Sequence, residues 1–213
     1  METTISSWAR NFDIKPNGVI HVGASIGEER DEWAALTKRV AWIEPHPGLL
    51  AALRANVEPL GGEVIAKAAG EKQGTAALHI ASNLHSSSLL PLGRHALYYP
   101  DITYEDFAQV EMDTLDHMFE GRYDQYDYLY MDVQGYEGQV LLGAEKLLPH
   151  IKWIYAEFNH EEMYTGCWLT PKLRAYLLER HFVLTAIELL HSAWGNALFI
   201  RTPSDGRGPS VPQ

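Results

Sequence analysis

Residues Gly18 to Pro47 read GVIHVGASIGEERDEWAALTKRVAWIEPHP. Val19 to Val22 is a short apolar strand, Gly23-Ala24-Ser25-Ile26-Gly27 a turn of mostly small residues, and a helix is predicted to open at Glu28 and Glu29. A second apolar strand, Val40 to Ile43, ends in the acid Glu44. Strand, tight turn, helix, strand, acid is the layout of a nucleotide-binding βαβ unit. The small turn residues let backbone approach a ligand, and the later acid can accept hydrogen bonds from a ribose diol. The turn is GxxxG and not the GxGxxG of dinucleotide enzymes, which weighs against a nucleotide-dependent oxidoreductase as the alternative reading.

The same alternation continues down the chain. Gly48 to Leu60 carries Leu49, Ala52, Leu53 and Val57 at helical spacing and stops at Gly61-Gly62. A third strand is predicted over Glu63 to Ala69, an edge strand over Thr75 to Ala81 and a short strand over Phe107 to Met112. Tyr126 to Val133 reads as a central strand, followed by a helix from Glu137 to about Leu148. Lys152 to Phe158 is the next strand and Pro171 to His181 an amphipathic helix. Phe182 to Leu190 and Ala197 to Arg201 then flank HSAWGN as a closing hairpin. Alternating strands and helices imply a doubly wound, mostly parallel α/β sheet, because parallel neighbours need crossover helices. The terminal hairpin adds an antiparallel strand.

With 213 residues the chain is long enough for one well-buried domain and short for two. The expected organisation is a cover segment over residues 1–17, a single domain over 18–201 and a flexible Pro/Gly/Ser-rich tail over 202–213. The net charge of −11 argues against a nucleic-acid partner, which calls for a cationic face. A single cysteine, Cys167, excludes an intrachain disulfide and fits a cytoplasmic protein. No stretch reads as a signal peptide or a membrane span.

Four segments carry a closer resemblance: HVGASIGEE (His21 to Glu29), WIEPHP (Trp42 to Pro47), MDVQGYEGQVLLGAEKLL (Met131 to Leu148) and IYAEF (Ile154 to Phe158). SSSLL (Ser86 to Leu90) and GNALFIR (Gly195 to Arg201) agree in order and spacing. Together they resemble the FkbM family of class I S-adenosylmethionine-dependent methyltransferases, over roughly residues 18 to 201. The resemblance implies a seven-stranded Rossmann-like sheet with an antiparallel C-terminal hairpin. It also implies S-adenosylmethionine as cofactor, S-adenosylhomocysteine as product and a hydroxyl acceptor on a small molecule, a sugar or a secondary metabolite.

On that reading the cofactor residues are His21, Gly23, Ala24, Ser25 and Gly27 at the turn, Glu44, Pro45 and His46 at the ribose, and Ala68 and Ala69 at the adenine edge. Asp132, Gln134 and Gly135 form the facing wall. The chain departs from the family at His21, where an acid is usual, and at Ser25, where Asn is common; loss of that acid leaves open a cofactor-binding but inactive partner subunit. Catalytic candidates are Asp132, at the end of the central strand, with His85, Glu157 and His160. Asp132 has a competing reading as the cap of the following helix. Tyr98, Tyr99, Tyr104, Glu161 and Tyr164 are candidates for the acceptor pocket. No short ligand spacing supports a metal ion.

Overall fold

The computed structural model describes residues 5–83 and 85–202; the expected tail beyond Thr202 lies outside them. Strands β1 (Val19–Val22), β2 (Val40–Ile43) and β3 (Glu63–Ile65) run parallel, linked by helices α2 (Arg30–Leu36) and α3 (Leu50–Val57), after an opening helix α1 (Ile5–Asn11). Strands β4 (Ala68–Ala69), β5 (Gly74–Ala81) and β6 (Tyr104–Asp113) come next, with the short helices α4 (His95–Tyr98) and α5 (Leu115–Met118). Then follow β7 (Tyr128–Met131), α6 (Glu137–Leu142), β8 (Trp153–Asn159), α7 (Thr170–Glu179), β9 (Phe182–His191) and β10 (Trp194–Arg201).

Seven strands form one sheet in the order β3-β2-β1-β7-β8-β10-β9, with β10 antiparallel to both neighbours. This is the predicted doubly wound sheet with its closing hairpin. All four residues of β1, β2 and β7 are buried because both faces are covered. The period-2 alternation divides them between two cores. Ile20, Val22, Leu129 and Met131 pack with Val140 and Leu141 of α6 and Leu173 and Leu177 of α7. Val19, Val40, Trp42, Tyr128 and Tyr130 pack with Ile5 and Trp8 of α1, Trp33 of α2, and Leu53 and Val57 of α3. Ile5, Trp8 and Ile14 are buried in this second core.

Three predicted elements differ. The strand expected over 63–69 is two strands in two sheets: β3 pairs with β2, while β4 pairs with β6 in a separate three-stranded sheet, β4-β6-β5. Lys67, at the break between the two sheets, ion-pairs with Asp113 at the end of β6 at 2.9 Å. The strand expected over Phe107–Met112 is longer and joins β5, and among the described residues no long helix fills the unit between β3 and β7. Finally α6 stops at Leu142 and not near Leu148. A Cβ on Gly143 would lie 2.0 Å from the Gly70 carbonyl, so close approach of the β4 exit holds glycine here. Pro149 then sits in a separate 3-10 turn.

The order of the main sheet reverses at β1, whose neighbours are β2 and β7. Chain crossing to opposite faces leaves a crevice at the carboxyl ends of these strands, where open α/β sheets bind ligands.

Candidate functional site

The register places Gly23, Glu44 and Asp132 each directly after its strand, at the ends of β1, β2 and β7. In β8, Ala156 is level with Met131, so Glu157 comes beside Asp132. Two cavities open here. The first is lined by Gly23, Ser25, Glu44, Pro45, His46, Ala68, Ala69, Asp132 and Gln134, with Leu78 and Leu89 from the smaller sheet and its exit. The second is lined by Glu157, His95, Tyr99, Tyr164, Trp194 and Asn196 among others. His85, Asp132 and Gln134 line both, so the cavities meet at these three residues.

The turn after β1 is fixed by backbone. Gly23 (φ +82°) and Ser25 (φ +47°) both lie in the left-handed region, and the amides of Gly23 and Ala24 donate to the Ile43 carbonyl at 3.0 and 3.1 Å. Glu44 anchors the turn from the side, accepting from the Ser25 amide at 2.8 Å and the His46 amide at 2.7 Å. Burial pushes its carboxyl up to about 7, against those two hydrogen bonds, which lower it.

Gln134 (φ +54°) connects the walls. Its side-chain amide donates to Asp132 Oδ1 at 2.5 Å and to Glu157 Oε2 at 3.5 Å. Its Oε1 accepts from the Tyr164 hydroxyl at 2.5 Å, and its carbonyl from the Ser88 hydroxyl at 2.8 Å. Water reaches Asp132 through the two cavities, yet protein surrounds it, and this poor hydration raises its pKa; the Gln134 bond and His85 oppose the rise. Glu157 is 6% exposed, and burial together with Glu137 and Asp132 holds it well above the usual carboxylate range.

The predicted site residues separate into groups. Gly23, Ser25, Glu44, Pro45, His46, Ala68, Ala69, Asp132 and Gln134 converge on the first cavity, Glu157 on the second, and His85 on both. Ala24 is buried in the core beneath, and Gly27 faces α3, where an added Cβ would lie 2.6 Å from Val57 Cγ1. Gly135 packs against Tyr164. His21 points away from the crevice. Its Nδ1 accepts from Trp33 Nε1 at 3.1 Å, its ring lies 4.8 Å from that of Trp42, and burial lowers its pKa to about 3. His160 lines neither cavity; its Nδ1 is 3.1 Å from the Thr170 hydroxyl and its ring stands edge-on to Phe158. Asp132 is not a helix cap: α6 begins at Glu137, with Tyr136 as the preceding residue.

Sequence reasoning did not single out His95 and Asn196. Asn196 faces Glu157 across the β10–β8 ladder and lies in a segment already noted for its resemblance. Nothing local marks His95. Of the tyrosines considered for the acceptor pocket, Tyr99 and Tyr164 line the second cavity. Tyr98 donates to Glu161, and Tyr104 to the Leu90 carbonyl. Among the described residues no three His, Cys, Asp or Glu side chains are grouped so as to hold a metal ion, and no helix is long and apolar enough to cross a membrane.

The carboxyls make the site pH-sensitive. Burial raises Glu44 and Glu29 from 4.5 to about 7. Acids raised on folding stabilise the protein while protonated, and that contribution is lost as pH climbs from 4.5 through 7. Asp113, which burial alone would raise, is held low by His117, Lys67 and Gln73, and acts only at more acidic pH. His21, which burial lowers from 6.5 to about 3, works the other way, its contribution growing as pH rises to 6.5. The expected result is a melting temperature for ligand-free protein that falls by a few degrees from about pH 6 to 8, measured by calorimetry, and falls less in Glu44→Gln. The same slope in both proteins would contradict the raised carboxyl of Glu44.

The first cavity fits S-adenosylmethionine. Ser25 Oγ is buried there without a partner, Glu44 keeps unused lone pairs for a vicinal diol, and Leu78, Leu89, Ala68 and Ala69 give apolar walls for a flat ring.

Comparison with known proteins agrees. The methyltransferase FkbM domain matches residues 21–184. A curated relative, the 2-O-methyltransferase NoeI of Sinorhizobium fredii, is 26% identical over 164 residues, which cover 71% of this chain and 68% of the relative. Among solved structures, magnesium protoporphyrin IX methyltransferase from Synechocystis PCC 6803 with bound SAM is 10% identical with a TM-score of 0.54, covering 93% of this chain and 76% of that one. The 1,6-didemethyltoxoflavin-N1-methyltransferase of Burkholderia thailandensis has the same identity and coverage with a TM-score of 0.51. At such identity the structures establish the fold alone. Site, family match and fold converge: the chain belongs to the FkbM family of class I S-adenosylmethionine-dependent methyltransferases.

Proposed function

We propose that the protein methylates a hydroxyl group of a small molecule, a sugar or a secondary metabolite. The observation that carries this reading is the meeting of the two cavities at Asp132, Gln134 and His85. One cavity suits the cofactor, the other is free for an acceptor, and a carboxylate stands at the junction. The name of the relative, a 2-O-methyltransferase, supports an oxygen acceptor.

The cofactor supplies an electrophilic methyl group on a positively charged sulfur. Glu44 would hold the cofactor by accepting hydrogen bonds from its vicinal hydroxyls, and the Gly23–Ser25 turn would allow close backbone approach. Asp132 accepts the proton of the acceptor hydroxyl, and Gln134 holds Asp132 in place. The protein's largest contribution is alignment of the reacting groups in a pocket poor in water. His85, which also faces the junction, is the second proton acceptor to be tested. Domain limits of 18–201 and a cytoplasmic location belong to the same proposal.

Incubation of purified protein with methyl-labelled S-adenosylmethionine and a library of hydroxyl, amine and carbon acceptors tests the reading by mass spectrometry. Label on oxygen supports it; label confined to nitrogen or carbon overturns it. Glu44→Gln removes the charge from the ribose contact and leaves one amide proton without an acceptor. It is expected to weaken S-adenosylhomocysteine binding by about ten- to a hundredfold by calorimetry, with the fold retained.

A further inference from the structure

The second cavity carries a charge pattern that hydroxyl transfer alone does not require. Its ionisable lining consists of Asp132, Glu157, His85 and His95 with the tyrosines, and no Lys or Arg faces it among the described residues. Arg94, next to His95 in sequence, is held outside by Glu161 at 2.8 Å. His95 is only 6% exposed, and its Nδ1 is buried without a partner. Burial disfavours its protonation, so it adds polarity without charge. Asn159 Oδ1 is likewise buried and unpartnered, beside Glu157, which accepts from Asn159 Nδ2 at 3.3 Å. Tyr99 and Trp194 are half-buried and supply aromatic surface, and the Trp194 indole donates to the Tyr99 hydroxyl at 3.2 Å, which fixes both; Tyr164 is buried behind them.

Building on the hydroxyl-acceptor reading, we propose that this cavity selects an uncharged polyhydroxyl ring and rejects acceptors bearing a carboxylate or phosphate. The physical reasons are independent of the reaction. Stacked aromatic faces cover the C–H face of a saccharide ring, while Glu157, His95 and Asn196 pair with its hydroxyls. An anionic substituent would instead lie beside Asp132 and Glu157 with no Lys or Arg of the cavity lining to pair with it once the cofactor has lost its sulfonium charge, and a charge enclosed without a partner is strongly unfavourable. Acceptor specificity is therefore set by charge as well as by shape. Phosphorylated and nucleotide-linked sugars fall outside it.

Matched sets of methyl hexopyranosides, the corresponding methyl hexuronosides and hexose 6-phosphates test this with the whole protein. Binding in the presence of S-adenosylhomocysteine is read by saturation-transfer NMR and titration, and methylation by mass spectrometry. Neutral rings are expected to bind and react, with anionic counterparts at least about a hundredfold weaker in both. Asn196→Lys is expected to narrow that gap by tenfold or more, provided the variant still binds S-adenosylhomocysteine. Anionic members within tenfold of the neutral ones would overturn the proposal, as would an unchanged gap in a cofactor-binding Asn196→Lys protein. If no ring binds although the cofactor product does, the proposal fails here, while the label position in the broader library decides the hydroxyl reading separately.

Discussion

Asp132→Asn is expected to lower kcat by about a hundred- to ten-thousandfold while leaving S-adenosylhomocysteine affinity within a few-fold of wild type. Asn is isosteric and its Oδ1 still accepts from Gln134, so the bond at 2.5 Å survives and the junction between the cavities keeps its shape. What is lost is the ability to take a proton. The raised pKa of Asp132 makes it a better base than an ordinary carboxylate, and the wild-type kcat profile should bend where it ionises. The acidic limb should vanish in the variant. His85→Gln is the necessary comparison, because His85 also faces the junction, with Nδ1 3.7 Å from Glu28 Oε2. If Asp132→Asn keeps more than a tenth of kcat and His85→Gln does not, the base is His85.

Much of this site could be read from sequence because its residues terminate strands. Apolar runs locate β1, β2 and β7, and the next residue of each, Gly23, Glu44 or Asp132, is then at the carboxyl edge whatever the loops do. The side to which a residue points within a doubly buried strand was not readable. His21 sits in a run buried on both faces, so polarity gives no phase, and only Trp33 and Trp42 show that it belongs to the α2–α3 side. The smaller sheet was obscured for a different reason. β4 has two residues, and most of β6 is exposed or half-buried, leaving Val110 and Met112 as the apolar signal. His160 lies in a loop and His95 opens the four-residue helix α4, and neither carries a spacing that places it. One packs on Thr170 and Phe158 outside the cavities, the other lines the second cavity.

Gly23→Ala should have the largest structural effect of any methyl-sized change at the site. An added Cβ would fall 1.8 Å from the carbonyl oxygen of Asp132 and 2.7 Å from its carbon, both backbone atoms that no rotamer can move. The glycine cannot retreat, because its amide is tied to the Ile43 carbonyl and the Asp132 amide to the Val22 carbonyl, each at 3.0 Å. Left-handed backbone adds about 1–2 kcal/mol, and overpacking about 1–3 kcal/mol. The melting temperature should fall by roughly 10 °C. Gly166→Ala isolates the first of these contributions, since Gly166 has φ +87° and nothing within 4 Å of its Cβ position. It should cost about 1–2 kcal/mol and leave turnover intact. The difference between the two variants is then the contact itself. Because that contact joins the cofactor turn to the strand end bearing Asp132, Gly23→Ala assayed well below its melting temperature should lose both S-adenosylhomocysteine affinity and kcat. Equal destabilisation in the two variants, with cofactor binding preserved in both, would mean that the turn and the Asp132 backbone are not in contact, and the proposed role of Asp132 beside a methyl donor would have to be redrawn.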